Sequence, residues 1–199
     1  HDTATGSGYA IGAAKGVTGG RKGYKATLFE GGVGVPFIAR WPGKISANKV
    51  DNQSIFSAVD LFPTFCELAS APIPKGYRSD GISQVHTLKG KGRPLREKPL
   101  FWKMRAAWPS QKNRPYHWVS YAVVHQSWKM LTNSDFGYVE LYDIKADPLE
   151  KKEISNLNPD ITKKLLKLIA DWKVSLPKIP AGNVFSKERN SPAKNTKLN

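Results

Sequence analysis

The 199-residue sequence is poor in several residue types, and each scarcity limits what the chain can do. It contains one cysteine, Cys66, so no internal disulfide can form. It contains no run of about 18 apolar residues, so no membrane span is visible. A Walker loop, a paired C-x-x-C and an H-E-x-x-H motif are all missing, so no complete nucleotide or zinc site can be recognised.

Acidic residues are also scarce, because 16 Asp and Glu stand against 31 Lys and Arg, which gives a formal charge of +15. Such a charge favours anionic partners. The stretch from His86 to Arg114 is especially basic and contains only one acid, Glu97. Its basic residues are Lys89, Lys91, Arg93, Arg96, Lys98, Lys103, Arg105, Lys112 and Arg114. This stretch is either a solvated lysine-rich surface or a patch that attracts a polyanion, such as nucleic acid or a sulfated glycan.

Apolar periodicity predicts two helices. The first covers Ser57–Ser70, with Asp60 as a capping residue and an apolar face of Phe62, Phe65, Cys66 and Ala69. The second covers Asn158–Ser175, with Asn158 as N-cap and Pro159 at the first helical position. Its apolar stripe consists of Ile161, Leu165, Leu168, Ile169 and Trp172. We expect this second helix to lie across one face of a sheet.

Short apolar runs predict the strands. Val33–Trp41 is expected to be a buried strand that ends at a Pro-Gly turn. Four later runs have short connections and predict an antiparallel sheet: Leu100–Lys103, Trp118–His125, Ser127–Thr132 and Tyr138–Asp143.

These elements predict an α/β chain in three parts. Residues 1–84 form an α/β part that is incomplete, because one strand and one helix cannot make a sheet domain alone. Residues 85–182 form a small α+β unit, and residues 183–199 form a disordered tail. The incomplete first part predicts that the chain is a fragment of a larger protein.

The segment from Gly23 to Gly43 is the most informative for chemistry. Lys25 is followed five residues later by Glu30-Gly31-Gly32. Paired glycines allow positive φ values or a close approach of the backbone to another group. Glu30 could fix such a loop by accepting backbone N–H bonds. A lysine held in this way is a good ligand for an oxyanion, because its ammonium is a compact charge.

This segment resembles the second signature of the formylglycine-dependent sulfatases: G-x-K, four residues, E-G-G, then V-P-F-I-x-R-W-P-G. Four further motifs of the family recur in the same order: V-D-L-F-P-T at 59–64, D-G-I-S at 80–83, W-K-M at 128–130 and L-Y-D to D-P-L-E at 141–150. The chain is thus similar to the C-terminal part of arylsulfatases and N-acetylgalactosamine-6-sulfatases. The resemblance implies an alkaline-phosphatase-like sulfatase fold and a location that is periplasmic or secreted.

The resemblance also implies a mechanism. A cysteine in C-x-P-x-R is oxidised to formylglycine and attacks the sulfur, while a calcium ion neutralises the sulfate oxygens. Lys25 matches the lysine that contacts the sulfate. Cys66 lacks the following Pro and Arg, so it is not the nucleophile, and the chain alone should be inactive. Asp2 is a candidate calcium ligand, although Thr3 stands where the family has Asn.

The implied substrate is an aryl sulfate or a sulfated sugar. Arg105 and Trp108, in the basic stretch, are candidate substrate ligands because guanidinium groups suit sulfate oxygens and indole faces suit sugar rings. Two alternatives stay open. The chain could be a non-catalytic module that binds a polyanion, or a phosphodiesterase of the same superfamily. No specific nucleic acid partner is expected.

Overall fold

The computed structural model describes residues 17–92, 96–104 and 116–176. Its centre is a four-stranded antiparallel sheet. The strands follow one another in chain order. Their bounds are β1 (Leu100–Lys103), β2 (Tyr121–His125), β3 (Trp128–Thr132) and β4 (Val139–Asp143). All four predicted strands are therefore confirmed, and the tight turn between β2 and β3 contains Gln126 at φ 57°.

The described helices are short except for the last. They are α1 (Glu30–Val33), α2 (Leu61–Leu68), α3 (Val85–Leu88) and α4 (Pro159–Ser175). A 3-10 turn, Ala58–Asp60, leads into α2. The two predicted helices thus exist, and Pro159 does stand at the start of α4.

Helix α4 covers one face of the sheet, as its apolar stripe predicts. Leu165 and Ile169 are buried against residues that alternate along the strands, as expected for side chains on one face of a pleated sheet. The buried strand residues of this layer are Tyr121, Val123, Met130 and Leu141. The rings of Trp172 and Phe101 stack with centroids 4.9 Å apart at the edge of this layer.

The opposite face of the sheet is covered by the segment just before α1. Leu28 and Phe29 are buried there against strand residues of the other alternation, namely Ala122, Leu131 and Tyr142, together with Val119. The segment that carries Lys25 therefore packs directly on the C-terminal sheet. This contact crosses the division that we predict at residue 84, a division that stays a prediction.

The prediction of a strand at Val33–Trp41 is wrong in the described structure. Residues 35–41 form no helix or strand, and most of their apolar side chains are exposed, with Ile38 at 89%. A strand needs a neighbouring strand for its backbone hydrogen bonds. None lies beside it among the residues described.

Helix α2 shows the same lack of covering structure. Its predicted apolar face is not buried, because Phe62 and Phe65 are 41% and 59% exposed. The residues that it buries are Pro63 and Thr64 instead. The predicted tail, 183–199, lies outside the described residues.

Candidate functional site

Lys25 stands on a tight loop, residues 22–33, which we call the lysine loop. Thr27 closes its turn by donating from N–H to the Tyr24 carbonyl at 3.0 Å and from Oγ1 to the same oxygen at 2.7 Å. Ala26, directly after Lys25, has φ 67°. A non-glycine residue in this left-handed region is strained by about 1–2 kcal/mol. The loop therefore depends on contacts elsewhere to keep its shape.

The paired glycines of this loop are required by close backbone packing. A Cβ on Gly32 would lie 2.2 Å from the Thr27 carbonyl oxygen, and one on Gly31 would lie 2.4 Å from the Gly23 oxygen. The Gly31 N–H also donates to the Lys22 carbonyl at 2.7 Å. The glycines thus act through close approach, one of the two roles that the sequence suggests for them.

Glu30 belongs to a buried charge cluster. Its Oε1 accepts a hydrogen bond from the Lys129 ammonium at 2.7 Å, and that ammonium lies 2.9 Å from Oε1 of Glu150. The Glu30 N–H, at the start of α1, donates to Glu150 Oε2 at 2.7 Å. Glu30 therefore fixes the loop through its carboxylate and a lysine of β3. This differs from the prediction that Glu30 accepts backbone N–H bonds.

The charges of this cluster carry a high desolvation cost, because their side chains have little contact with solvent. The side chains of Lys129 and Glu150 are fully buried, and that of Glu30 is 20% exposed. Burial raises the pKa of Glu150 above its ordinary value, although the Lys129 ammonium opposes the shift. The Lys129 ammonium, which contacts both carboxylates, therefore limits the electrostatic cost of burying Glu150.

A second lysine holds the other end of the lysine loop. The Lys22 ammonium donates to Glu140 Oε2 at 2.8 Å and to the Tyr142 hydroxyl at 2.7 Å, both on β4. It also lies 4.7 Å from the centroid of the Phe29 ring. Burial, followed by the hydrogen bond to Glu140, raises the pKa of Tyr142, so this hydroxyl stays neutral.

Lys25 itself differs from these two lysines. Its side chain is exposed, and it has no ion pair or hydrogen bond with another residue in the described part of the chain. An exposed ammonium on a loop whose other charges are paired is available to an external anion.

A separate buried network joins two of the other motifs. Asp60 accepts N–H bonds from Ser57 and Ile82, each at 2.9 Å, and pairs with the guanidinium of Arg96. A Cβ on Gly81 would lie 2.1 Å from the carbonyl oxygen of Val59. This crossing of two segments therefore requires a glycine.

The structure changes the interpretation of the basic stretch. Arg96 is buried against Asp60, so it cannot contact a polyanion. Lys91, Lys98 and Lys103 are exposed. The candidate ligands Arg105 and Trp108, and the candidate calcium ligand Asp2, all lie outside the described residues.

No set of three or more His, Cys, Asp or Glu side chains could hold a metal ion within residues 17–92, 96–104 and 116–176. We derive no step through a calcium ion. No helix in the same ranges is long and apolar enough to cross a membrane.

Sequence reasoning missed Lys22, Lys129 and Glu150 as partners of the lysine loop. One signal could have found Lys129: it lies in the middle of a strand between Trp128 and Met130, where a charge needs a buried partner. Glu150 ends the D-P-L-E motif, so its place in a recognised motif was visible without its role.

Comparison with known proteins identifies the family. The family model described as N-sulphoglucosamine sulphohydrolase, C-terminal, matches residues 21–174. The chain therefore belongs to the sulfatases, in the family of N-sulphoglucosamine sulphohydrolase C-terminal domains. The predicted family is confirmed.

Two curated relatives agree with this assignment. An N-acetylgalactosamine-6-O-sulfatase of Bacteroides thetaiotaomicron is 29% identical over 153 residues, which are 76% of this chain and 30% of the relative. Human arylsulfatase G is 41% identical over 70 residues, which are 35% of this chain and 13% of that protein. The chain thus spans less than a third of the length of these relatives.

A solved structure from work on the metabolism of multiple glycosaminoglycans by Bacteroides thetaiotaomicron matches with a TM-score of 0.62 and 29% identity. The match covers 83% of this chain and 35% of that one. The alkaline-phosphatase-like sulfatase fold, with an antiparallel sheet packed on a C-terminal helix, is therefore confirmed.

Proposed function

We propose that this chain is the C-terminal portion of an enzyme that hydrolyses sulfate esters of aryl alcohols or sugars, and that Lys25 binds a sulfate oxygen. The exposed ammonium of Lys25, on a loop whose neighbouring charges are paired and largely buried, is the observation that carries this proposal. A fixed cation can stabilise the negative charge that develops as the ester oxygen leaves.

The apolar surface of the first part supports the division into a portion of a catalytic domain, 1–84, and a complete subdomain, 85–182. Large exposed apolar side chains are concentrated in the first portion: Val35, Phe37, Ile38, Trp41, Val50, Val59, Phe62, Phe65, Ile73 and Tyr77. Many exposed large apolar side chains in one portion of a chain are typical of a surface that packs against another part of a protein. In this proposal it packs against the remainder of the catalytic α/β domain.

The nucleophile in this proposal is a formylglycine outside this chain, and the cofactor is Ca²⁺, for which Asp2 is a candidate ligand. Arg105 and Trp108 remain candidate contacts for a sulfated glycan. The relatives that match are named as sulfatases, which supports a periplasmic or secreted location. The 199-residue chain alone should not turn over an aryl sulfate.

The test compares this chain with the complete open reading frame. We expect turnover of an aryl sulfate by the complete protein only, and a fall of about 100-fold in kcat for Lys25→Ala. Lys44→Ala, which also removes an exposed lysine, is the matched control and should change kcat less than about twofold. A reading frame without C-x-P-x-R, or full activity in Lys25→Ala, would refute the proposal.

One observation favours a second candidate, a polyanion-binding module: the formal charge of +15. Retention of the chain on heparin and DNA columns at increasing salt tests it. Tight binding to DNA regardless of sequence would favour this candidate. Hydrolysis of an aryl phosphodiester, assayed beside the aryl sulfate, tests the phosphodiesterase alternative.

A further inference from the structure

We propose that Lys22 and Lys129 are positioning residues, which hold the lysine loop on the sheet and thereby set the place of Lys25. This inference rests on the proposed function of Lys25. The two contacts are called the sheet anchors: Lys22 with Glu140 and Tyr142, and Lys129 with Glu30 and Glu150.

The anchors lie on both sides of Lys25 in the sequence and on one face of the sheet in space. Lys22 precedes Lys25 by three residues, and Glu30 follows it by five. Their partners lie on the central strand β3 and on β4, where Lys129 and Tyr142 are directly paired in the strand register. The ends of the loop are thus tied to neighbouring positions on one rigid surface.

An apolar contact fills the space between the anchors. Phe29 is fully buried and Leu28 is 4% exposed. The Phe29 ring packs edge-on against Tyr116, with centroids 5.1 Å apart, while its face meets the Lys22 ammonium. The loop therefore cannot slide on the sheet without breaking both apolar and charged contacts.

Backbone strain indicates that these contacts hold the loop in its observed conformation. Three non-glycine residues in or against the loop have left-handed φ values: Ala26 at 67°, Tyr116 at 71° and Glu150 at 55°. Strained residues persist only where the surrounding structure determines them. Because Ala26 directly follows Lys25, its relaxation to negative φ would redirect the backbone at Lys25.

Buried charges are an unusual way to obtain stability alone. Replacing a buried ion pair by apolar residues is often neutral or stabilising. The gain that such a cluster offers here is geometric: the Lys129 ammonium meets Glu30 and Glu150 at defined distances, and the Glu150 carboxylate also binds the first N–H of α1. Such directional contacts fix a position, which an apolar contact does less well.

Amide hydrogen exchange on the 199-residue chain tests the anchors without any assay of activity. The variants are Lys22→Met and the double substitution Lys129→Met with Glu150→Gln, which leaves no unpaired fully buried carboxylate. Lys167→Met is the control, because Lys167 forms an exposed pair with Asp171 at 2.7 Å. We expect the N–H groups of residues 31–33 to exchange at least about tenfold faster in both anchor variants.

The expected result is local. Amides of β2 and β3 should accelerate by a factor at least about three times smaller than those of residues 31–33 in the anchor variants, and the control should match the wild type everywhere. The Cβ chemical shift of Ala26 should also move from its left-handed value towards that of a residue with negative φ. Two results would overturn the inference. Equal acceleration of amide exchange in the loop and in the sheet would mean that the lysines stabilise the whole fold. An unchanged exchange rate in the loop would mean that they do not hold it.

A kinetic arm in the complete enzyme separates this inference from the proposed function. Lys22→Met should lower kcat about tenfold, and it should have no further effect when Lys25→Ala is already present. A loosened loop with unchanged kcat, in an enzyme that does depend on Lys25, would overturn positioning. An unchanged kcat in Lys25→Ala would instead refute the proposed function. The exchange experiment would still decide whether the anchors hold the loop.

Discussion

Replacing Lys129 by Met should destabilise the folded chain severely. The side chain is fully buried in the sheet, and its ammonium lies 2.7 Å from Glu30 Oε1 and 2.9 Å from Glu150 Oε1. Met has a similar length and fills much of the same volume, so little of the effect should arise from a cavity. What the substitution removes is the cation between two carboxylates.

The magnitude follows from the groups that are left behind. Glu150 has no exposed side-chain surface, and the exposed fraction of Glu30 is only 20%. Removing one partner of a buried ion pair costs about 3–5 kcal/mol, because the remaining charge stays desolvated. For a typical m-value of about 2 kcal/mol/M in urea, a loss of this size lowers the unfolding midpoint by about 2 M.

Urea unfolding followed by tryptophan fluorescence measures this loss of stability. Two further variants serve as a control and as a test of coupling. Lys167→Met deletes an exposed lysine from an i,i+4 pair and should cost less than about 0.5 kcal/mol. Adding Glu150→Gln to Lys129→Met should recover about 1–3 kcal/mol, because the two effects are coupled. A cost below about 1 kcal/mol for Lys129→Met, or strict additivity in the double variant, would refute the reasoning.

Two other predictions concern pH and a glycine. Because burial raises the pKa of Glu150, the folded state holds its proton more tightly than the unfolded state, so this group's contribution to stability is lost as pH rises above the ordinary value of 4.5. Glu150→Gln should reduce the fall of the unfolding free energy with pH above about 4.5, and an unchanged slope would contradict this. Three groups face Glu150 and are unchanged by the substitution: Glu30, Lys129 and Tyr142. Gly81→Ala should cost more than about 2 kcal/mol in a thermal melt, because its Cβ would lie 2.1 Å from the Val59 oxygen, whereas at Gly137 the nearest atom is 3.3 Å away and Ala should be tolerated.

The sheet and α4 could be predicted because their signals are local. Alternating apolar residues with short connections favour antiparallel neighbours, and the stripe from Ile161 to Trp172 has the helical period. The two predictions also support each other, since each element supplies the apolar surface that the other must bury.

The interval from Val33 to Trp41 could not be predicted in this way. Its apolar residues are typical of a buried strand, but a strand also needs hydrogen-bond partners, and these are not encoded in its own sequence. The same argument applies to α2, whose apolar face is real although Phe62 and Phe65 are exposed. The local sequence pattern indicates which side chains of a segment could be buried. Whether they are buried depends on the rest of the fold.

The candidate site was predictable in part. The resemblance of the E-G-G segment led to Lys25, and close packing explains the glycines. The partners of the loop were not predictable, because Glu30 and Lys129 are 99 residues apart and Glu30 and Glu150 are 120 apart. No local rule links residues at such separations.

The structure does give a physical reason why these motifs occur together. E-G-G supplies Glu30, W-K-M supplies Lys129 and D-P-L-E supplies Glu150, and the three meet in one buried cluster. V-D-L-F-P-T and D-G-I-S meet at a second point, where Asp60 accepts the Ile82 N–H. A substitution in one motif of either group leaves a buried charge or polar group in another without its partner, which is costly. The five motifs therefore form two groups of buried contacts. The group that contains Glu30, Lys129 and Glu150 holds the loop that carries Lys25.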